Sequence, residues 1–154
     1  DLPELLEDIQ AAETCPARLY GSCFGELAPQ GVYTYLGCGR NTTSIHFDRD
    51  ENLLTCLYGT KRLWLYPPSD ARYLRPALNA SRSSAIPFAR LQELPDSIQR
   101  RLGQTAEAWP REVILRPADI LYLPLGWWHC VEGSEDRNMV LSYWFRPHPS
   151  KREA

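Results

Sequence analysis

The sequence predicts a mainly β domain, a sandwich or barrel of many short antiparallel strands with a jelly roll as the preferred topology. Three observations predict it. Thirteen prolines and nine glycines are scattered along the chain as punctuation rather than gathered into linkers. Short, aromatic-rich, β-prone runs recur between them, and no internal repeat or low-complexity tract interrupts the series. At 154 residues the chain is one domain's worth, long enough to bury about 68–70% of its unfolded surface without staples. A 44% hydrophobic and 23% charged composition excludes disorder, collagen-like repeats and coiled coils.

Element by element, Pro3-Glu4-Leu5-Leu6-Glu7-Asp8-Ile9 suits a short amphipathic helix, with proline in the first turn and apolar residues at 5, 6 and 9. Segments 18–24, 32–38 and 44–47 read as strands. Asn52 to Tyr58 and Lys61 to Tyr66 flank Gly59-Thr60, which reads as a tight two-residue hairpin stopped by Pro67-Pro68. From 69 to about 110 the β signal fades into polar, alanine and proline residues, an insertion with a helix near 97–102. Strands resume at 112–116, 119–123, 128–132 and 138–145, with turns at 116–119 and around Gly133, before a polar tail from 146 to 154.

Charge and cysteine usage narrow the function classes. Lys+Arg 17 against Asp+Glu 19 gives a net charge of -2, which removes the broad basic footprint of a nonspecific nucleic-acid binder while leaving a local basic groove open. No apolar run approaches the roughly 18 residues of a membrane span, and the acidic start, Asp1-Leu2-Pro3-Glu4, is unlike a signal peptide. Five cysteines, odd in number and without a CxxC pair, read as reduced thiols of an intracellular protein of the cytoplasm or nucleus.

Two triplets carry chemistry. In His46-Phe47-Asp48, positions i and i+2 of a strand project from one face, so the imidazole and carboxylate converge while Phe47 packs behind them. Alone, the same pattern also fits a solvated strand end. Trp127-Trp128-His129 adds a second histidine in an aromatic setting, for which a core imidazole bonded to backbone is the competing reading. Together, two histidines and one carboxylate make the facial set that leaves open positions on Fe(II) for a chelating cosubstrate and dioxygen. The third histidine, His148, lies beyond the last strand and is assigned no role.

Hairpin register adds Lys61. Around Gly59-Thr60, opposed positions sum to 119, so Cys56 faces Leu63 and Leu54 faces Leu65. Lys61 then shares the inward face with Leu63, Leu65 and, on the other strand, Asn52. A buried ammonium needs an anionic partner, which a dianionic cosubstrate supplies; the other reading is a lysine snorkelling into water from the strand end.

These residues resemble a known family. Thr43-Ser44-Ile45-His46-Phe47-Asp48, Asn52-Leu53-Leu54, Gly59-Thr60-Lys61-Arg62, Tyr66-Pro67-Pro68, Asp119-Ile120-Leu121-Tyr122-Leu123-Pro124 and Trp127-Trp128-His129 look like a JmjC-domain oxygenase of the small hydroxylase type, over roughly residues 33–146. The resemblance implies a double-stranded β-helix of the cupin type with a few short helices, a single domain over 1–154 with its core at about 31–146. It implies Fe(II) bound by His46, Asp48 and His129, with 2-oxoglutarate and O2 as cosubstrates. Lys61, at 61 − 48 = 13 positions after the aspartate, matches the family's lysine for the C5 carboxylate of 2-oxoglutarate. Thr43, three before the first histidine, and Asn52, at 52 − 46 = 6 after it, match further cosubstrate contacts. Ser142 stands where some members carry an asparagine, and one of Tyr20, Tyr33 and Tyr35, with Tyr35 preferred, supplies an upstream tyrosine.

The implied activity is hydroxylation of a protein side chain with release of succinate and CO2, on a protein or peptide substrate and by a monomer or weak dimer without a membrane partner. The alternatives are N-methyl-lysine demethylation, hydroxylation of an RNA base or small molecule, a cupin of different metal chemistry and a noncatalytic interaction module. Trp127, Trp128, Leu63, Leu65 and Tyr122 are the expected apolar surroundings. Arg49 and Asp50 sit where a rim would be, or are solvated loop charges. Many members carry further sequence on both sides of this core, so the chain is read as a minimal member or an excised domain.

Overall fold

The computed structural model describes residues 20, 23–74, 76–77, 80–84 and 110–146. The helices read at 3–9 and 97–102, and the tail beyond Arg146, lie outside these residues. Ten strands are described: β1 Leu27–Cys38, β2 His46–Phe47, β3 Glu51–Tyr58, β4 Lys61–Tyr66, β5 Pro76–Ala77, β6 Ala80–Ser84, β7 Arg111–Leu115, β8 Ile120–Leu123, β9 Trp128–Gly133 and β10 Arg137–Phe145. A 3₁₀ turn over Pro68–Asp70 runs into the single-turn helix α1, Ala71–Leu74. The strands form a four-stranded sheet, order β1-β10-β3-β8, and a six-stranded sheet, order β5-β6-β2-β9-β4-β7. Every pairing is antiparallel. The fold is mainly β and jelly-roll-like, as the sequence predicts.

The two sheets pack face to face. Leu54, Cys56, Leu123 and Val140 from the smaller sheet meet Leu63, Leu65 and Leu115 from the larger one to form the sandwich interior. Each sheet also buries its outer face in part. Ile45, Trp64, Tyr66, Trp128 and Cys130 pack with Leu74 of α1 outside the larger sheet, and Leu53, Leu141, Tyr143 and Phe145 pack with Phe24 and Leu27 outside the smaller one. Strand β3 is therefore buried over six consecutive residues instead of alternating, the pattern of a strand covered on both sides.

The structure corrects three sequence expectations. Strands β3 and β4 are not a hairpin: β3 pairs with β10 and β8, while β4 pairs with β9 and β7. Gly59, at φ +70, turns the chain from one sheet into the other, and a Cβ there would collide with the Arg137 carbonyl of the passing β10 start. The inferred faces survive, because Cys56, Leu54, Leu63 and Leu65 meet across the sandwich interior instead of across a hydrogen-bonded ladder. Second, the described residues of 18–24, namely Tyr20, Cys23 and Phe24, are helical; Phe24 covers the smaller sheet instead of joining it, its ring 4.6 Å from Tyr122 and 5.6 Å from Phe145. Third, the insertion read from 69 to about 110 contributes strands β5 and β6, and β6 pairs with β2 at His46↔Ser83. Among the described residues no helix is long and apolar enough to cross a membrane.

Candidate metal centre

His46 and His129 stand directly opposite each other on the paired strands β2 and β9. Cross-strand neighbours share a face, and the two imidazole centroids lie 4.3 Å apart. Asp48 follows β2 at once, with Oδ2 3.4 Å from Nε2 of His129. One ligand atom from each of the three residues falls within 4.8 Å of the others, a group that could hold a metal ion.

Backbone carbonyls set the imidazoles. Nδ1 of His46 lies 2.7 Å from the Ser44 carbonyl and Nδ1 of His129 lies 3.0 Å from that of Trp127. A carbonyl only accepts, so each Nδ1 carries the proton and each Nε2 keeps its lone pair, the arrangement typical of metal-ligating histidines. Burial and the neighbouring His46 push the His129 pKa down to about 4, against the opposing pull of the Trp127 carbonyl, so the ring is neutral at pH 7. Burial raises the Asp48 pKa, opposed by His46 and Arg82 and assisted by Asp50. A carboxylate held above its ordinary range by desolvation has unmet demand for a cation, and the donor set of two imidazole nitrogens and one carboxylate oxygen fits a divalent transition metal.

The triad opens into a cavity of about 240 Å³ between the sheets. That is below the roughly 300–1,000 Å³ of drug-sized ligand sites and suits a small metabolite. Lys61 lines it and is only 6% exposed. Burial lowers its pKa, and the one group opposing this is Cys56, whose own thiol burial pushes up and keeps neutral. Among the described residues Lys61 has no carboxylate partner. The buried side chains of Asn52 and Ser142 line the same wall, where the Ser142 hydroxyl donates to Asn52 Oδ1 at 3.1 Å. Thr43 Oγ1 accepts the Val131 N–H at 3.0 Å, which leaves its own proton free to donate at the cavity edge.

Residues 1–151 match the family model for the cupin-like domain. The chain belongs to the cupin-like family. JmjC-domain relatives place this cupin-like chain in the JmjC superfamily. It is 32% identical over 108 residues to the tRNA wybutosine-synthesizing protein 4 of Gibberella zeae, across 70% of this chain and 10% of that protein. Against lysine-specific demethylase 8 of Xenopus tropicalis it is 25% identical over 146 residues, across 94% of this chain and 30% of the relative. Against the human bifunctional peptidase and (3S)-lysyl hydroxylase JMJD7 it is 25% identical over 162 residues, across 94% and 49%. The chain thus spans between a tenth and a half of the length of these curated relatives.

In this cupin-like domain the structure brings His46, Asp48, His129, Thr43, Asn52, Lys61, Ser142 and Tyr35 to one cavity. Of the three upstream tyrosines only Tyr35 lines it; burial and the nearby Asp48 raise its pKa. Tyr33 stacks beside Tyr35 at 6.3 Å and lines an adjoining depression of about 290 Å³ with Arg49, Asp50 and Arg82, so the two loop charges do border the site. The expected apolar surroundings divide. Leu63 lines the cavity and Leu65 and Trp127 belong to the sandwich interior, whereas Trp128 and Tyr122 face outward on the opposite faces of their sheets. Strand parity accounts for Trp128, since it alternates with His129. Trp144 and Leu123 also line the cavity and escaped the sequence reading. Trp144 was accessible through parity, being two residues from Ser142 on β10. His148 lies outside the described residues.

Proposed function

We propose that the chain is an Fe(II)- and 2-oxoglutarate-dependent oxygenase that hydroxylates a protein side chain, releasing succinate and CO2. One observation carries the reading: a buried lysine, without a carboxylate partner among the described residues, shares a small cavity with a His-Asp-His group whose free nitrogens and carboxylate converge. A cupin of different metal chemistry has no need for an inward cation at that depth, and a noncatalytic module has no need for an intact triad.

In this reading His46 Nε2, His129 Nε2 and an Asp48 oxygen hold the metal, while the Ser44 and Trp127 carbonyls fix both imidazole tautomers. Lys61 Nζ binds the far carboxylate of 2-oxoglutarate by a charge-assisted contact, with Thr43 Oγ1 as a second donor. Asn52 and Ser142 shape the pocket as one hydrogen-bonded unit, and Tyr35 closes it on the β1 side. Leu54, Leu63, Leu123, Val131 and Trp144 supply apolar wall that excludes water from the cosubstrate. Bound Fe(II) and 2-oxoglutarate supply the activation of dioxygen that hydroxylation of a C–H bond requires. A protein substrate, the intracellular setting and a monomeric or weakly dimeric state belong to the same proposal. It draws on the relative named as a lysyl hydroxylase, which matches 94% of this chain and of which this chain spans the largest share of the three.

The deciding experiment incubates the purified protein with Fe(II) and 2-oxoglutarate without oxygen, then admits oxygen and follows succinate. Slow turnover without added substrate is expected. Folded protein showing neither metal-dependent 2-oxoglutarate binding nor succinate would sink the proposal. A peptide and RNA screen by mass spectrometry then separates side-chain hydroxylation from demethylation, which releases formaldehyde, and from base modification.

A further inference from the structure

Glu51 is a carboxylate only 2% exposed at the first position of β3, three residues after Asp48. Its Oε2 accepts from the Tyr122 hydroxyl at 2.7 Å and from the Leu125 N–H at 3.0 Å. Leu125 belongs to the turn 124–127 that joins β8 to β9, closed by the Trp127 N–H on the Pro124 carbonyl at 3.2 Å, with Gly126 at φ +79 in its third position. Such a turn directs the amides of its two central residues away from itself, and both are taken up by the segment carrying Asp48. Leu125 donates to the Glu51 carboxylate, and Gly126 donates to the Asp48 carbonyl at 3.0 Å. The turn's last carbonyl, that of Trp127, fixes Nδ1 of His129. The backbone of the turn therefore links two side-chain contacts, Glu51 to Leu125 at one end and Trp127 to His129 at the other, and a backbone bond joins the same turn to Asp48.

We propose that Glu51 is a positioning residue for the metal centre: its buried carboxylate latches the 124–127 turn and thereby holds the Trp127 carbonyl that sets the tautomer and ring orientation of His129. This rests on the reading of His46, Asp48 and His129 as metal ligands. The bond to Leu125 is made by a side chain only 2% exposed and is shielded from water, and it holds the turn together with the backbone bond to Asp48. Among the described residues the Leu125 amide has no backbone acceptor beside the Glu51 carboxylate. Residues that orient metal-binding histidines in this manner are worth about tenfold to a hundredfold in metal affinity.

The test compares the wild-type chain with Glu51→Ala and Glu51→Gln by Co(II) titration and by the ring-nitrogen NMR signals of His129 in metal-free protein. Glu51→Ala is expected to weaken Co(II) binding about tenfold to a hundredfold and to turn a single Nδ1–H tautomer into a mixture. Glu51→Gln keeps an oxygen toward Leu125 and is expected to recover most of the affinity, while the Leu125 amide exchanges hydrogen about fivefold to tenfold faster as the charge is lost. Folded Glu51→Ala with wild-type Co(II) affinity and an unchanged tautomer overturns the proposal. If that variant does not fold, unchanged Leu125 exchange in Glu51→Gln overturns it. Absence of Co(II) binding in the wild-type chain sinks the metal reading instead, and the tautomer and exchange comparisons still decide the role of Glu51.

Discussion

Replacing Lys61 by methionine separates what the side chain costs the fold from what it contributes to binding. Methionine keeps the stem that packs beside Leu63 and removes the ammonium, which is 6% exposed and faces no carboxylate among the described residues. Burying an unmatched polar group costs about 1–3 kcal/mol, so the metal-free variant is expected to be more stable by that order. In a chain of 154 residues each kcal/mol moves Tm by about 2–4 °C. The pH dependence carries the sign. Lys61 titrates below its ordinary 10.5 in the folded state, so between the folded value and 10.5 the unfolded chain binds more protons. Wild-type stability therefore gains with rising pH in that window, and Lys61→Met lacks the gain. Binding moves the other way. Removing one partner of a buried charge pair costs about 3–5 kcal/mol, or roughly two to three and a half decades in Kd for 2-oxoglutarate. Thermal melts between pH 7 and 10 and calorimetric titration of 2-oxoglutarate with Mn(II) in place of iron measure the two effects. A variant that is destabilised when metal-free, or that binds 2-oxoglutarate within threefold of wild type, refutes the buried-cation reasoning.

Further outcomes follow from the same geometry. His46→Ala and Asp48→Ala each remove a triad ligand and are expected to lower succinate formation by at least about a hundredfold, while thermal melting still shows a cooperative transition. Phe145→Ala empties the cluster outside the four-stranded sheet, where the ring is 1% exposed, and is expected to cost about 3–5 kcal/mol in urea denaturation; a loss under 1 kcal/mol would mean that face is not a core. Gly59→Ala places a Cβ against the Arg137 carbonyl at a positive φ and is expected to cost about 1–3 kcal/mol, with the loss read from the urea midpoint.

Local pattern made most strands legible, because β propensity and turn residues act over a few positions. Which side chains point inward was legible as well: Lys61, Asn52, Leu54 and Leu63 share one cavity although their strands lie in different sheets. Partner choice was not. Gly59-Thr60 looks like a hairpin turn, yet β3 finds its partners around Leu141 and Leu121, some seventy to ninety residues away, and no local signal encodes that. The same distance hid Glu51, whose hydrogen-bond partners lie 71 and 74 residues on. Beside Asp48, Arg49 and Asp50, nothing in its local sequence distinguishes it. Of Tyr20, Tyr33 and Tyr35, the preferred Tyr35 is the one that lines the cavity.

Strand β2 is two residues long, and its register against β9 puts His46 opposite His129 and Phe47 opposite Trp128. A slip of one residue would exchange the imidazole for a phenyl ring and leave the cavity without its first donor. An ion held at that point joins residues 129 − 46 = 83 apart and acts as a cross-link closing a long loop, whose entropy the unfolded chain must otherwise recover. Under the proposed metal reading, uptake would also report strand register, because only molecules that have aligned β2 with β9 bring the donors together.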